Sequence, residues 1–374
     1  MLSPMKCILL PMFGMAVSIA PQALPAQLSA NAVVVASGLE GPRGLRFGPD
    51  GDLYVAEAGT GGTNSTSGQC TQVVPPVGPY TGGLTARISK FDRNWNRTTV
   101  ASGLPSSVDA MGDLQGVADV QFVGGTLYAL LAGGGCSHGN ATLPNGIVSV
   151  NVFNGAWRYV SNLSAFMAAN PVQYPNVSDF EPDGTWYSMV AANGALHAVE
   201  PNSGELVRVD PYSGNNFREI DVSASQGHIV PTSVAFNNGT FLLGNLNLFP
   251  IEPNTSQVMT LSNFQMPNFA APGLSVPGPY YISSAKAGFA TIVGLVVGPN
   301  GLLYVLQLSP TPYGYPAPGN GKVTRVNRDG SLTDVVTGLS VPTAMTFGPN
   351  GRLYISNFGA APAGAGQIVM ATVQ

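Results

Sequence analysis

Acidic side chains are scarce in this sequence, so their clusters matter. Asp179-Phe180-Glu181-Pro182-Asp183-Gly184 sets carboxylates at positions one, three and five and a glycine at six. That is the first half of an oxygen-donor loop for calcium. The twelfth position, which would close such a loop with a carboxylate, is Val190. A cation held by Asp179, Glu181 and Asp183 would therefore need a further oxygen, with Glu200 the expected source. The competing reading is a solvated turn.

Histidine is the other source of chemistry. A general base needs a pKa near the working pH and a reacting group within reach. His138 and His228 fall in long connections, where a ligand-binding role competes with a structural one; His197 reads as core. His138 follows Cys136 by two residues, and a disulfide at Cys136 would remove that thiol as a nucleophile. The sequence has no Gly-x-Ser-x-Gly elbow, no His-Glu-x-x-His and no P-loop.

The elements that position these groups follow from one stretch, Gly44-Leu45-Arg46-Phe47-Gly48-Pro49-Asp50-Gly51-Asp52-Leu53-Tyr54-Val55-Ala56-Glu57. Alternating apolar residues on either side of Pro-Asp-Gly predict strand, tight turn, strand. Copies run over 119–129, 187–200, 233–243, 294–305 and 344–355. Six units at spacings of roughly 45–70 residues predict a six-bladed all-β propeller. A third strand follows each copy, and fourth strands are legible except in blade 4, where residues 262–290 are rich in Pro, Phe and Gly. Val33–Leu39 has no partner before it, and the last copy stops at a third strand over 366–373. The N-terminal strand is thus expected to complete the C-terminal blade, removing two sheet edges at once.

Strand direction then sorts the connections. One face carries minimal turns such as Gly48-Pro49-Asp50-Gly51. The other, called the top here, is expected to carry the long loops 58–83, 132–145, 161–185, 222–231, 245–256, 266–291, 307–321 and 357–365. Function is expected on that face. The second strands end there in Glu57, Leu131, Glu200, Asn245, Gln307 and Asn357, a ring that either binds or caps local backbone. Inner-strand starts are mostly apolar or small, with Arg43 and Asp119 as exceptions expected to pair across neighbouring blades. Tyr313 and Tyr315, with Phe264, Phe269, Tyr280 and Tyr281, could form an aromatic rim for an apolar, glycan or peptide ligand.

Charged residues make up 9% of the 374, against roughly 25% in average domains. Net charge is −4 and no Lys/Arg cluster exists, which leaves no surface for nucleic acid or an anionic membrane. Residues 1–30 pair Lys6 with the short apolar run 7–20, the pattern of a secretory signal, so 31–374 is expected to be the propeller domain. No other run is long enough to span a bilayer. Without Cys7, an even pair remains, Cys70 and Cys136, which suggests one disulfide in a secreted monomer. Seven Asn-x-Ser/Thr sequons, at Asn64, Asn96, Asn140, Asn162, Asn176, Asn238 and Asn254, make it a glycoprotein candidate.

The repeat Gly-Leu-x-Phe-Gly-Pro-Asp-Gly-x-Leu-Tyr-Val resembles NHL-type six-bladed propellers. More specific phrases are 54–62 (Tyr-Val-Ala-Glu-Ala-Gly-Thr-Gly-Gly), 179–189 (Asp-Phe-Glu-Pro-Asp-Gly-Thr-Trp-Tyr-Ser-Met), 199–207, 223–231 and Ser356-Asn357-Phe358-Gly359. Together they look like the ScyD/ScyE family of secreted propellers, a resemblance that covers nearly all of 33–374. It implies the fold and fixes no catalytic residue. Related gluconolactonase-like propellers hold a divalent cation with Glu, Asn and Asp near the channel. Two readings of function follow. One is a top-face binding scaffold for a small molecule, glycan or peptide, using Arg43, Glu57, Asp119, His138, Glu200, His228, Asn245, Gln307 and Asn357. The alternative is a metal-dependent hydrolase or lactonase, with calcium the candidate ion.

Overall fold

The computed structural model describes residues 27–263, 279–310 and 314–373. The expected signal core, with Cys7, and the rim residues Phe264, Phe269 and Tyr313 lie outside them.

Six antiparallel sheets form a six-bladed propeller. Blade 1 runs outward through Pro42–Phe47, Leu53–Glu57, Thr81–Phe91 and Arg97–Val108, with Leu114–Gln115 as a short fifth strand. Blades 2 and 3 begin with Val117–Val123 and Ser188–Ala192, and blades 4 and 5 with Pro231–Asn237 and Ile292–Val297. Blade 6 comprises Ala344–Phe347, Leu353–Asn357 and Gly366–Ala371, and Ala32–Leu39 pairs antiparallel to the last of these as its outer strand. The closure expected from the unmatched ends is present.

The repeat residues explain the turns and the seams. In blade 1, Gly51 takes φ 81°, which favours glycine, and the Tyr54 hydroxyl donates to Asp50 at 2.9 Å. In blades 5 and 6 the Asn300 and Asn350 amides donate to Tyr304 and Tyr354 at 2.9 and 2.8 Å. Each tyrosine ring then meets a phenylalanine of the next blade edge-on. Tyr54 meets Phe122, Tyr304 meets Phe347, and Tyr354 meets Phe47, all at 5.0 Å. The last pair seals blade 6 to blade 1, so one repeat position both locks a turn and supplies an inter-blade contact worth about 1 kcal/mol beyond its burial. His197 replaces this tyrosine in blade 3 and is buried against Phe241 of blade 4 at 4.6 Å.

Blade 4 corrects one expectation. Its fourth strand is Tyr280–Phe289, paired to Ser256–Asn263. The inner strand descends from the top, so the third strand ends at the bottom. The chain leaves Asn263 and re-enters at Tyr280 on that face. Within the stretch read as a top loop over 266–291, residues 280–289 are therefore a strand that starts at the bottom face, and Tyr280 and Tyr281 belong to no top rim. Low strand propensity across a Pro- and Gly-rich run hid this.

Candidate functional site

The polar ring at the ends of the second strands is buried. Glu57, Glu200, Asn245, Gln307 and Asn357 are at most 2% exposed, and Leu131 is their fully buried apolar counterpart. Buried polar atoms need partners, and here the links between blades supply them. Glu57 accepts from the Glu40 N–H at 2.7 Å, Gln307 from Ala290 N–H at 2.9 Å and Asn357 from Ser340 N–H at 2.7 Å. Asn245 accepts from Gln257 N–H at 2.7 Å and donates to the Ile229 carbonyl at 3.0 Å. Glu200 accepts from Thr185 and Ser203 N–H groups at 3.1 and 2.6 Å. The Arg97 guanidinium and the Ser89 hydroxyl also donate to Glu57. Against the binding expectation, the five polar members of this ring spend their oxygens on local hydrogen bonds that hold the links and loops to their blades.

The acidic loop is likewise divided among partners. Asp179 meets His228 Nε2 at 2.7 Å. Asp183 accepts from the Ser137 N–H at 2.8 Å and its hydroxyl at 2.7 Å. Glu181 accepts from the Tyr80 hydroxyl at 3.3 Å and presents its other oxygen to His138 Nε2 at 3.8 Å. Burial, reinforced by the nearby Glu200 and Asp179 charges, holds the Glu181 carboxyl well above the ordinary carboxylate range. Among the described residues no group of three or more His, Cys, Asp or Glu side chains is placed to hold a metal ion. The second Glu181 oxygen and His138 Nε2 have no hydrogen-bond partner, but the three carboxylates do not converge on one point, so the loop does not fit calcium.

His138 is fully buried rather than displayed on a loop. Its Nδ1 lies 2.9 Å from the Ser107 hydroxyl, its ring packs on Tyr80 at 4.4 Å, and burial pushes its pKa down to about 4. Cys136 opens the same short turn, Cys136–His138, and is bonded to Cys70 as expected. The disulfide ties the top loops of blades 1 and 2 together beside this cluster. Of the sequons, Asn140 is buried, and its amide donates to the Ser106 and Gly133 carbonyls at 2.9 and 2.7 Å, which leaves no nitrogen for a glycan.

The inner strands enclose the central channel, a cavity of about 40 Å³. A water needs roughly 10–15 Å³ measured this way, so the channel holds a few waters and a larger ligand must sit over its mouth. Arg43 and Tyr187 lie at that mouth, both half-buried. The Arg43 guanidinium donates to the Leu114 carbonyl, and the Tyr187 hydroxyl donates to the Thr343 carbonyl at 3.2 Å. Burial pushes the Tyr187 phenol up to about 12, opposed by Arg43. Deeper in, Asp119 accepts from the Val120 and Met189 N–H groups, both at 2.8 Å, and burial raises its pKa to about 6 against the pull of Arg46. The expected Arg43–Asp119 pair is not formed; Arg46 is the cation opposing Asp119. The Arg46 Nε and the Ser233 hydroxyl have no hydrogen-bond partner. Arg46 carried a legible signal, since other copies place Gln121, Ala235, Val296 or Thr346 at its position.

Around the mouth, loops 245–256 and 307–321 bring Phe249 and Tyr315 together. Their rings stack with centroids 6.0 Å apart and 29° between planes, while the side chains stay 40% and 67% exposed.

No protein-family model matches this chain, and no curated protein matches it either. Solved structures do. A gluconolactonase from Xanthomonas campestris aligns with a TM-score of 0.54 at 10% identity, over 92% of this chain and 89% of that one. The PQQ-bound aldose sugar dehydrogenase of Streptomyces coelicolor aligns at 0.52 and 13%, over 94% of this chain and all of the other. A carbohydrate-active enzyme of family AA12 from Trichoderma reesei aligns at 0.52 and 12%, over 94% and 98%. At such identities the likeness is one of fold.

Proposed function

We propose that this protein is a secreted, monomeric binding scaffold that holds a small molecule, glycan or peptide on its top face, over the mouth of the central channel. The observation that carries the reading is that a half-buried arginine and tyrosine, Arg43 and Tyr187, line a channel with room for only a few waters. A few converging polar groups beside apolar walls are how small-ligand sites are built. The Cys70–Cys136 disulfide is compatible with secretion. Among the described residues no helix is long and apolar enough to cross a membrane. The ScyD/ScyE resemblance fits the same reading.

The alternative, a metal-dependent lactonase, draws on fold likeness to the gluconolactonase. It needs several carboxylate or amide oxygens converging on one cation at the mouth, whereas those of the ring each accept from a different partner.

Thermal shift against a panel of organic acids, oligosaccharides and short peptides tests the proposal. At least one compound should raise the melting temperature of the wild type and of Asp50→Ala, a bottom-turn control, but not of Arg43→Ala/Tyr187→Phe. A shift that survives in the mouth variant and disappears in Asp50→Ala would place the functional face on the wrong side.

A further inference from the structure

We propose that the Phe249–Tyr315 stack is a platform for a neutral polysaccharide. The inference rests on the top-face reading and deepens it by naming a ligand class and a second point of contact.

Exposed aromatics are not rare in this protein, but most stand apart. Phe153 and Tyr212 are 96% and 79% exposed at the tips of bottom turns. Phe249 and Tyr315 differ in being held against each other from two blades. Phe249 belongs to the loop after the second strand of blade 4, Tyr315 to the equivalent loop of blade 5. The backbone fixes the pair: Ile251, itself 1% exposed, donates its N–H to the Gly314 carbonyl at 2.7 Å in an isolated bridge between the loops. A ring pair fixed in this way loses little freedom when a ligand lies on it.

The chemistry of the surround selects the ligand. Residues 245–256 and 307–321 contain one carboxylate, Glu252, and no Lys or Arg. The other polar groups are amides and hydroxyls. The adjoining Lys322 is paired with Asp334 at 3.0 Å, so the two loops themselves offer no cation to a phosphorylated or acidic chain. A flat aromatic face with a negative quadrupole suits the polarised C–H face of a pyranose ring. Exposed amides and hydroxyls suit sugar hydroxyls.

Affinity electrophoresis in native gels is the test, with hydroxyethyl cellulose, galactomannan or amylopectin cast into the gel and alginate as the anionic control. The wild type and Phe153→Ala should be retarded by at least one neutral polymer and not by alginate. Each of Phe249→Ala and Tyr315→Ala should weaken retardation roughly tenfold, and the double variant should abolish it with its circular dichroism unchanged. Neither side chain belongs to the buried core, so these variants are expected to fold. Absence of retardation by every neutral polymer overturns the proposal, as does equal retardation of the double variant or of alginate gels. A wild-type dimer in sedimentation that the double variant dissolves also overturns it, since the occupant is then a second copy of the chain. Arg43→Ala/Tyr187→Phe separates the two readings. Retention lost there but kept in the aromatic variant removes the platform and spares the channel mouth. The reverse pattern supports the platform whatever the mouth binds.

Discussion

Reducing Cys70–Cys136 should destabilise the propeller by an amount that can be worked out beforehand. The bond closes a loop with a sequence separation of 66. Closing a loop of that size removes about 15 cal/mol/K from the unfolded chain, or roughly 4 kcal/mol at 25 °C. Unfolding entropy near the melting point is about 2.1 cal/mol/K per residue, hence roughly 0.7 kcal/mol/K for a propeller of this length. The melting temperature should therefore fall by about 6 °C. A larger fall would mean that the buried Tyr80–His138–Glu181 cluster, carried in part by the turn that Cys136 opens, rearranges as well. The assay is differential scanning calorimetry of the oxidised protein, the reduced protein and Cys70→Ser/Cys136→Ser, with hydrogen exchange read at residues 136–140. If all three melt within a degree of one another, the loop-closure reasoning is wrong for this chain.

Three further outcomes follow from the same geometry. Glu57→Ala leaves the Glu40 N–H without its acceptor and takes the carboxylate from Arg97, which keeps only Gly38 and Ser89, and should cost roughly 3 kcal/mol; a urea midpoint equal to wild type would show that the clamp contributes nothing. Asp119 is harder to ionise folded, at about 6, than in its unperturbed state at 3.8, so the folded chain holds that proton more tightly. Its contribution, roughly 3 kcal/mol, is full below pH 4 and is lost as pH rises through about 6. Urea midpoints from pH 4 to 7 should show that fall, and Asp119→Asn should flatten it; an identical slope in both proteins refutes the assignment. Deleting residues 31–39 strips blade 6 of its outer strand, and calorimetry should record a marked drop in melting temperature, an unchanged value contradicting the closure.

The fold was legible because its signals are local and repeated. Gly-Pro-Asp/Asn-Gly turns between alternating apolar runs state the blades one by one, and the unmatched strand at 33–39 states how the ring closes. The site was less legible because burial in loops has no period. His138 lies in a long polar connection, which reads as a surface position, yet Tyr80 from another blade covers it. Glu57 and its equivalents sit at the top end of their strands, and only the register of the incoming link shows that each side chain turns toward backbone N–H groups. Asp179, Glu181 and Asp183 follow calcium-loop spacing, but spacing does not say where each carboxylate points. Arg46 could have been found by comparing copies at one position, whereas the Phe249–Tyr315 contact joins residues 66 apart in two irregular loops, which no periodicity predicts.

The seam in blade 6 has a mechanical consequence. Ala32 lies opposite Ala371, and Leu39 opposite Gly366, so the first and last strands begin and end side by side. A force applied between Ala32 and Ala371 would load one pair of backbone hydrogen bonds at a time, as in opening a zipper, instead of all pairs together in shear. The ring should therefore resist pulling between points on different blades far better than pulling at its seam, and an optical-trap experiment would find its weakest direction where the circle is joined.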